Sequence, residues 1–208
     1  MRYMNSFPTE IPVFPLSGVI YFPKTNLPLN IFEQRYLDLV NDSFRKDKLI
    51  GMIQSNKKNE DLYKVGCLGK ISEFHKKKDG RILISLTGIT RFEILEEKNN
   101  SKSYREFKVD YRKFNLDLKP KLEEANTKIL MEKAEIFFKK SGLLLNWKEF
   151  EKLNKLQKIN TLSMIAPFTN EEKQKLLETI SLKEKVKNLE DIINFYLYEV
   201  NFNSQTIQ

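Results

Sequence analysis

Four charged side chains stand inside otherwise apolar or turn-forming runs. Glu33 and Arg35 lie in Leu27-Pro28-Leu29-Asn30-Ile31-Phe32-Glu33-Gln34-Arg35-Tyr36, Arg81 follows Asp79-Gly80, and Arg91 precedes Phe92. Such groups can form a polar rim that anchors a polypeptide's backbone or termini, or they can pair with one another and tie segments of the fold together. Charges set among core residues are usually paired, which favours ion pairs. The aromatics Phe14, Phe22, Phe32, Tyr36 and Phe92 pose the same choice between the wall of an apolar peptide groove and the core, and rings of this size favour the core. A third group is the basic run His75-Lys76-Lys77-Lys78 with Arg81 beside it and Lys70 nearby. It suits a nucleic-acid backbone or a solvated turn, and the lack of aromatics between the lysines favours the turn.

Other chemistries lack their parts. Cys67 is the one cysteine and His75 the one histidine, so neither an internal disulfide nor a clustered metal site is expected. No Gly-x4-Gly-Lys-Ser/Thr loop occurs around the seven glycines, so nucleotide hydrolysis is not expected. A Ser-His-Asp set would have to use His75 in a lysine-rich turn, where a buried orienting carboxylate is implausible. Cys67 between Gly66 and Leu68 reads as a small buried hydrophobe. No enzyme activity and no cofactor are expected. The net charge of +8 and pI near 9.3 come from lysine, since arginine stops at Arg112. That excess fits either a functional basic surface or a coding bias of the source genome. No apolar run approaches the roughly 20 residues of a membrane span, and prolines at 8, 12 and 15 interrupt any secretion-signal core. A soluble cytoplasmic protein without membrane contact is expected.

The elements that must position these residues change character near residues 114–120. Before that point short β-branched and aromatic runs recur between turn signals, predicting strands over 11–15, 18–23, 49–54, 62–75, 81–87, 89–96 and 103–114. Gly66 and Gly69 predict a bend or bulge where another strand passes closely. Asp79-Gly80 predicts a hairpin whose tip is the basic run, and Thr87-Gly88 a second corner. Pro28 holds Leu27 extended. Asn30 as a cap, with Glu33 three residues on, predicts a helix from Ile31 to about Phe44 that packs Phe32, Tyr36, Val40 and Phe44 on the sheet. After Pro120 a helical stripe of Leu122, Ala125, Ile129, Ile136 and Phe137 runs to Ser141-Gly142. A second helix starts near Asn146-Trp147 and continues, with a break, to Ala166, and capping boxes at Thr169 and Ser181 begin two more. Residues 1–116 are thus expected to form a β-rich unit, 117–200 a helical bundle, and 201–208 a frayed tail.

The string from Leu27 to Tyr36 also resembles the opening signature of the Lon N-terminal domain family. Similar blocks follow in order: Leu49-Ile50-Gly51-Met52-Ile53, Val65-Gly66-Cys67-Leu68-Gly69-Lys70-Ile71, Asp79-Gly80-Arg81, Leu86-Thr87-Gly88-Ile89-Thr90-Arg91-Phe92, and in the helical half Ser163-Met164-Ile165-Ala166-Pro167-Phe168. Asn30 stands where many members have histidine. The resemblance implies an α+β fold: a PUA-like, curled, mainly antiparallel β-subdomain, or pseudobarrel, with a packed helix, followed by a C-terminal α-helical bundle. It implies a freestanding member without the ATPase and peptidase modules of Lon proteases. The function implied is a non-catalytic module that binds unfolded or exposed polypeptide segments or a protease-system partner. Phe14, Phe32, Arg35, Tyr36, Arg91 and Phe92 are its candidate peptide-binding residues. The alternative is RNA binding through Lys76, Lys77, Lys78 and Arg81, because the fold is related to RNA-binding pseudobarrels.

Overall fold

The computed structural model describes residues 7–55, 61–118 and 125–205. The chain divides into two compact units, Met1–Pro120 and Lys121–Gln208. The first holds six strands, β1 (Glu10–Leu16), β2 (Asn26–Ile31), β3 (Leu49–Gln54), β4 (Val65–Lys76), β5 (Ile82–Lys98) and β6 (Glu106–Asp110), with helix α1 (Gln34–Arg45) between β2 and β3 and a 3-10 helix (Arg112–Asp117) after β6. The pairing runs β2-β5-β4-β3-β1-β6, and β6 also pairs with β5, so five strands close into a ring and β2 is added outside it. All pairs are antiparallel except β1 with β3.

Alternation along the strands sends two sets of apolar side chains to opposite faces. Ile11, Val13, Leu49, Ile53, Leu68, Phe92, Phe107 and Val109 come from all five ring strands and form one cluster. Phe14, Ile50, Met52, Cys67, Ile71, Ile84 and Leu86 form the other, under Tyr36, Leu39 and Val40 of α1. Gly51 and Gly66 leave room for the fully buried ring of Phe92: a Cβ on Gly66 would stand 2.5 Å from the Met52 carbonyl oxygen and 2.6 Å from Phe92. At Gly69 the neighbour is the Tyr21 ring, and at Gly88 the Phe22 carbonyl. The close passage expected around Gly66 and Gly69 is therefore present, with a bulge between Leu68 and Gly69.

Arg91 and Asp117 form a buried ion pair in this unit, their side chains 3% and 9% exposed. Arg91 donates through Nη2 to Asp117 Oδ1 at 2.8 Å and through Nε and its main-chain N–H to Oδ2 at 3.0 and 2.9 Å. The guanidinium also lies 4.4 Å from the centre of the Phe114 ring. This pair ties β5 to the 3-10 helix.

Several expected elements are corrected. Residues 18–23 form no strand; Gly18 takes φ +84, and Ile20, Tyr21 and Phe22 are buried in the core, with the Phe22 carbonyl accepting from the Thr25 hydroxyl at 2.7 Å. The runs 81–87 and 89–96 are one strand, because the Thr87-Gly88 corner is absorbed as a bulge at Ile89 rather than a turn. The 62–75 run is a strand only from Val65, and the 103–114 run only over Glu106–Asp110 before the 3-10 helix. α1 begins at Gln34, not Ile31: β2 stays paired with β5 through Ile31 opposite Ile82, so Asn30 belongs to the sheet. Its N-cap is Glu33, whose side chain makes no capping bond.

In the second unit α2 (Lys128–Lys140), α3 (Trp147–Glu151), α4 (Lys155–Ile165) and α5 (Asn170–Glu178) precede α6 (Leu182–Gln205). α6 runs into the segment expected to be frayed. Thr169 and Glu172 form the expected reciprocal capping box, and Ser181 Oγ accepts from the Glu184 N–H at 3.3 Å. Asn154 and Gln157 form another box that breaks α3 from α4. The apolar face of α2 is Leu130, Ala134, Phe137 and Phe138, and Ile129 and Ile136 are exposed. The register is set by Phe137 and Phe138, whose rings pack on Phe168, Tyr196 and Trp147; Leu122 lies outside the described residues. Lys173 donates to the Met164 carbonyl at 3.0 Å, satisfying a helix-end acceptor with a cation on the favourable side of the helix dipole.

Asp117→Ala should destabilise the first unit by about 3–5 kcal/mol, because it removes the carboxylate that pairs with the buried Arg91 charge. The joint change Arg91→Met/Asp117→Leu should recover most of that loss in urea unfolding. Gly66→Ala should cost about 1–3 kcal/mol by overpacking Phe92 against β3, with the added change Phe92→Leu relieving part of it.

Candidate functional site

The residues singled out in the sequence fall into four places: the interior, a stack on α1, the link from β2 to α1, and the basic hairpin. Phe92 and Arg91 are interior. Phe14 and Tyr36 stack at 3.9 Å between centroids with planes 18° apart, and the Arg35 guanidinium lies over the Tyr36 ring at 4.7 Å. Phe14 is 6% and Tyr36 9% exposed, so they are packed rather than open to a ligand. Phe32 was expected on the core face of α1. It lies one turn too early, between β2 and α1, and is 66% exposed.

The charges pair locally rather than as a network joining helix and hairpin. Arg35 donates to Glu33 Oε2 at 2.8 Å and Arg81 to Asp79 Oδ2 at 2.7 Å, both on the surface. The Arg81 hydrogen bond holds the Asp79 carboxyl below the usual carboxylate range. At the hairpin tip Gly80 takes φ +87, as Asp79-Gly80 predicted, and the Lys77 N–H donates to the Arg81 carbonyl at 2.8 Å. His75, Lys76, Lys77 and Lys78 are exposed. Phe74 packs its ring on Phe44 at 4.3 Å, fastening the base of the hairpin to α1.

Strand register brings two of these places together. Ile31, the last residue of β2, is opposite Ile82, and Ile82 is opposite Lys76. Phe32 and Arg81, each one residue from that row, therefore lie at the same end of the sheet as the lysine hairpin. Among the described residues β2 has β5 as its one strand neighbour. The Thr25 carbonyl accepts from the Gly88 N–H at 2.9 Å, and two-residue alternation then turns the main-chain groups of Leu27, Leu29 and Ile31 to β5. Asn26, Pro28 and Asn30, all exposed, turn theirs outward. Pro28 has no N–H, which suits the outward position and leaves the donors of Asn26 and Asn30 on the free edge. This edge was not singled out from the sequence, although a proline inside a strand signals an edge.

On the other side of α1, two open polar hollows of about 390 and 400 Å³ flank the segment Lys102, Ser103 and Tyr104 between β5 and β6. Ser103 Oγ donates to Asp38 at 2.7 Å and the Tyr104 hydroxyl to Asp42 at 2.9 Å, strapping this connection to the helix. Burial, reinforced by the bond to Asp42, pushes the Tyr104 phenol up to about 12. Arg105 bonds Glu97 at 2.6 Å through both carboxylate oxygens and holds that carboxyl below its usual range. Among the described residues no group of acidic, His and Cys side chains could hold a metal ion, and no helix is long and apolar enough to cross a membrane. Cys67 is buried.

These features define an α+β fold that offers a sheet edge, an exposed ring and a basic hairpin. The chain belongs to the family of ATP-dependent protease La (LON) substrate-binding domains, whose model matches residues 10–194. It is 27% identical over 95% of its length to Lon protease of Syntrophus aciditrophicus, and 30% identical over 63% of its length to Lon protease of Cytophaga hutchinsonii. It spans about a quarter, or less, of these relatives' length, at 26% and 16%. Its fold is that of a Lon N-terminal domain protein from Xanthomonas campestris, with a TM-score of 0.62 and 19% identity over 88% of this chain and 97% of that one. The N-terminal domain of a Mycobacterium avium complex Lon protease matches with a TM-score of 0.60 and 16% identity over 89% and 98%.

Tyr104→Phe gives a test of the strap. The folded state holds this phenol proton more tightly than the unfolded chain, whose tyrosine ionises near ~10. The stabilisation is therefore complete below pH ~10 and is lost as pH rises toward about 12. In urea unfolding the variant should be about 1 kcal/mol less stable than wild type at pH 8, and the gap should narrow by pH 11.

Proposed function

We propose that this domain is a non-catalytic polypeptide-recognition module, an adaptor for exposed segments in a protease system, working in the cytoplasm. The observation that carries this reading is the pairing of a one-sided edge strand, β2, with the exposed ring of Phe32 at its end, in a chain of the LON substrate-binding family. An extended segment laid along β2 completes the sheet through its own main chain, which gives affinity with little demand on sequence. Phe32 supplies an apolar contact at the point where the edge stops. Pro28 interrupts the donor row, so the edge takes a short segment and resists continuous self-pairing. We read the closed ring of strands as a PUA-like pseudobarrel that is the scaffold for this edge, and the second unit as a C-terminal helical bundle. The family match and the Lon relatives do not favour RNA as the ligand.

Among the residues first considered for this role, Phe32 and Arg35 remain surface candidates. Phe14 and Tyr36 support Arg35 from beneath, and Arg91 and Phe92 act through the core. Fluorescence anisotropy with a labelled, permanently unfolded polypeptide should show saturable binding. Phe32→Ala should weaken it roughly tenfold or more, as for a central apolar anchor, with unfolding stability unchanged. Asn30→Pro, which removes an outward donor, should weaken it as well. Absence of binding at tens of micromolar sinks the proposal.

A further inference from the structure

We infer that the polypeptides taken by this domain are acidic beside the segment held on β2, their carboxylates meeting Lys76, Lys77 and Lys78. This rests on the polypeptide-binding reading above and adds a ligand class to it.

The first support is placement. Lys76 is level with Ile31 through Ile82, two strand spacings away, so a chain leaving β2 past Phe32 crosses the hairpin end within roughly 10 Å of it. The second is local charge balance. The acids nearest this end, Glu33 and Asp79, are each engaged by an arginine two residues on. The three lysines form no ion pair among the described residues, and Glu73, further down β4 opposite Ser85, is the other exposed acid of the hairpin. The third is asymmetry within the chain. Residues 1–120 carry 22 Lys and Arg against 15 Asp and Glu, whereas residues 121–208 carry 14 against 13, so the excess cation belongs to the unit that bears the edge.

The surroundings favour an acidic polypeptide over a nucleic acid. Phe74, the aromatic nearest the lysines, has its face against Phe44, and the Lys48 ammonium lies 4.7 Å from the Phe44 ring. Those faces are taken, whereas base recognition needs open ones. The open ring, Phe32, stands beside unsatisfied main-chain groups that another polypeptide backbone completes. Lysine ammonium groups pair with carboxylates as mobile point charges, which tolerates variation in where the acids fall.

The test uses the full chain and fluorescent synthetic peptides of about a dozen residues. They share one extended apolar core and carry flanks of Asp and Glu, of Ser, or of Lys; a single-stranded RNA of similar length completes the set. The acidic peptide should bind about tenfold more tightly than the Ser-flanked one, the sum of a few rim pairs, and the Lys-flanked one should bind most weakly. The advantage should vanish in roughly 0.5 M salt. Lys76→Ser/Lys77→Ser/Lys78→Ser should abolish it while leaving Ser-flanked affinity unchanged, whereas Phe32→Ala should weaken the acidic and Ser-flanked peptides alike. Equal affinity for acidic and Ser-flanked peptides overturns the acid preference and leaves polypeptide binding standing. Failure of all three peptides to bind overturns both. RNA binding tighter than the acidic peptide, lost in the triple variant, assigns the hairpin to nucleic acid and overturns the inference.

Discussion

A single phenyl ring, that of Phe92, fills the space left open by glycines on two neighbouring strands, and the closure of the sheet depends on that fit. Gly51 on β3 and Gly66 on β4 bring their backbones up to the ring, where any Cβ would collide with it. Burying a ring of this size stabilises by roughly 1.5–3 kcal/mol, but its position matters more than its area. It lies on β5, the 17-residue strand that pairs with β2, β4 and β6 in turn. With Phe92 seated, β5 is held where its far end meets β6 and completes the ring. The residue before it, Arg91, faces the other way and is anchored by Asp117, so both faces of β5 are fixed at one point.

Closure explains why the exposed edge is where it is. In a ring each strand has two neighbours and no free main-chain row. β2 lies outside the ring because β5 is longer than its partners and has a stretch, Ile82–Thr87, left to pair on its second side. The edge is therefore a by-product of the length of β5. α1 follows directly from β2 and packs over one face of the sheet, so the link between them, Phe32 and Glu33, is the point at which the chain leaves one neighbour for another. A residue at such a switch has no strand partner, and Phe32 remains in solvent.

Electrostatics act at two strengths in this fold. The Arg91–Asp117 pair is desolvated, satisfied by three hydrogen bonds and set on Phe114, so it fixes geometry. The Glu33–Arg35 and Asp79–Arg81 pairs are about half exposed and contribute little to stability. Their effect is to neutralise the local acids and leave the lysines of the hairpin unopposed. Surface pairs of small energetic value thereby shape the field a ligand meets.

Much of this was legible in the residues. Asp79-Gly80 determined a tight hairpin because glycine readily accepts the positive φ at its tip, and Thr169 with Glu172 determined a helix start because their hydrogen bonds are local. The lysines at that hairpin tip were equally readable, since a turn is solvated wherever it lands. Other features depended on partners far away in the chain. Asn30 has the chemistry of a cap, yet β5 claims its segment for the sheet. Ile129 and Ile136 have helical spacing, yet Phe137 and Phe138 turn α2 the other way. Arg91 could not be assigned a partner from its neighbours because Asp117 is 26 residues distant. The sequence by itself determined the Asp79-Gly80 turn and the Thr169 cap, which rest on contacts a few residues apart, and it carried in order the blocks that mark the family. Tertiary structure alone decided that Phe32 is exposed and that β2 is an edge, because each follows from which strand gains a second neighbour, and that is settled only when the ring closes around Phe92.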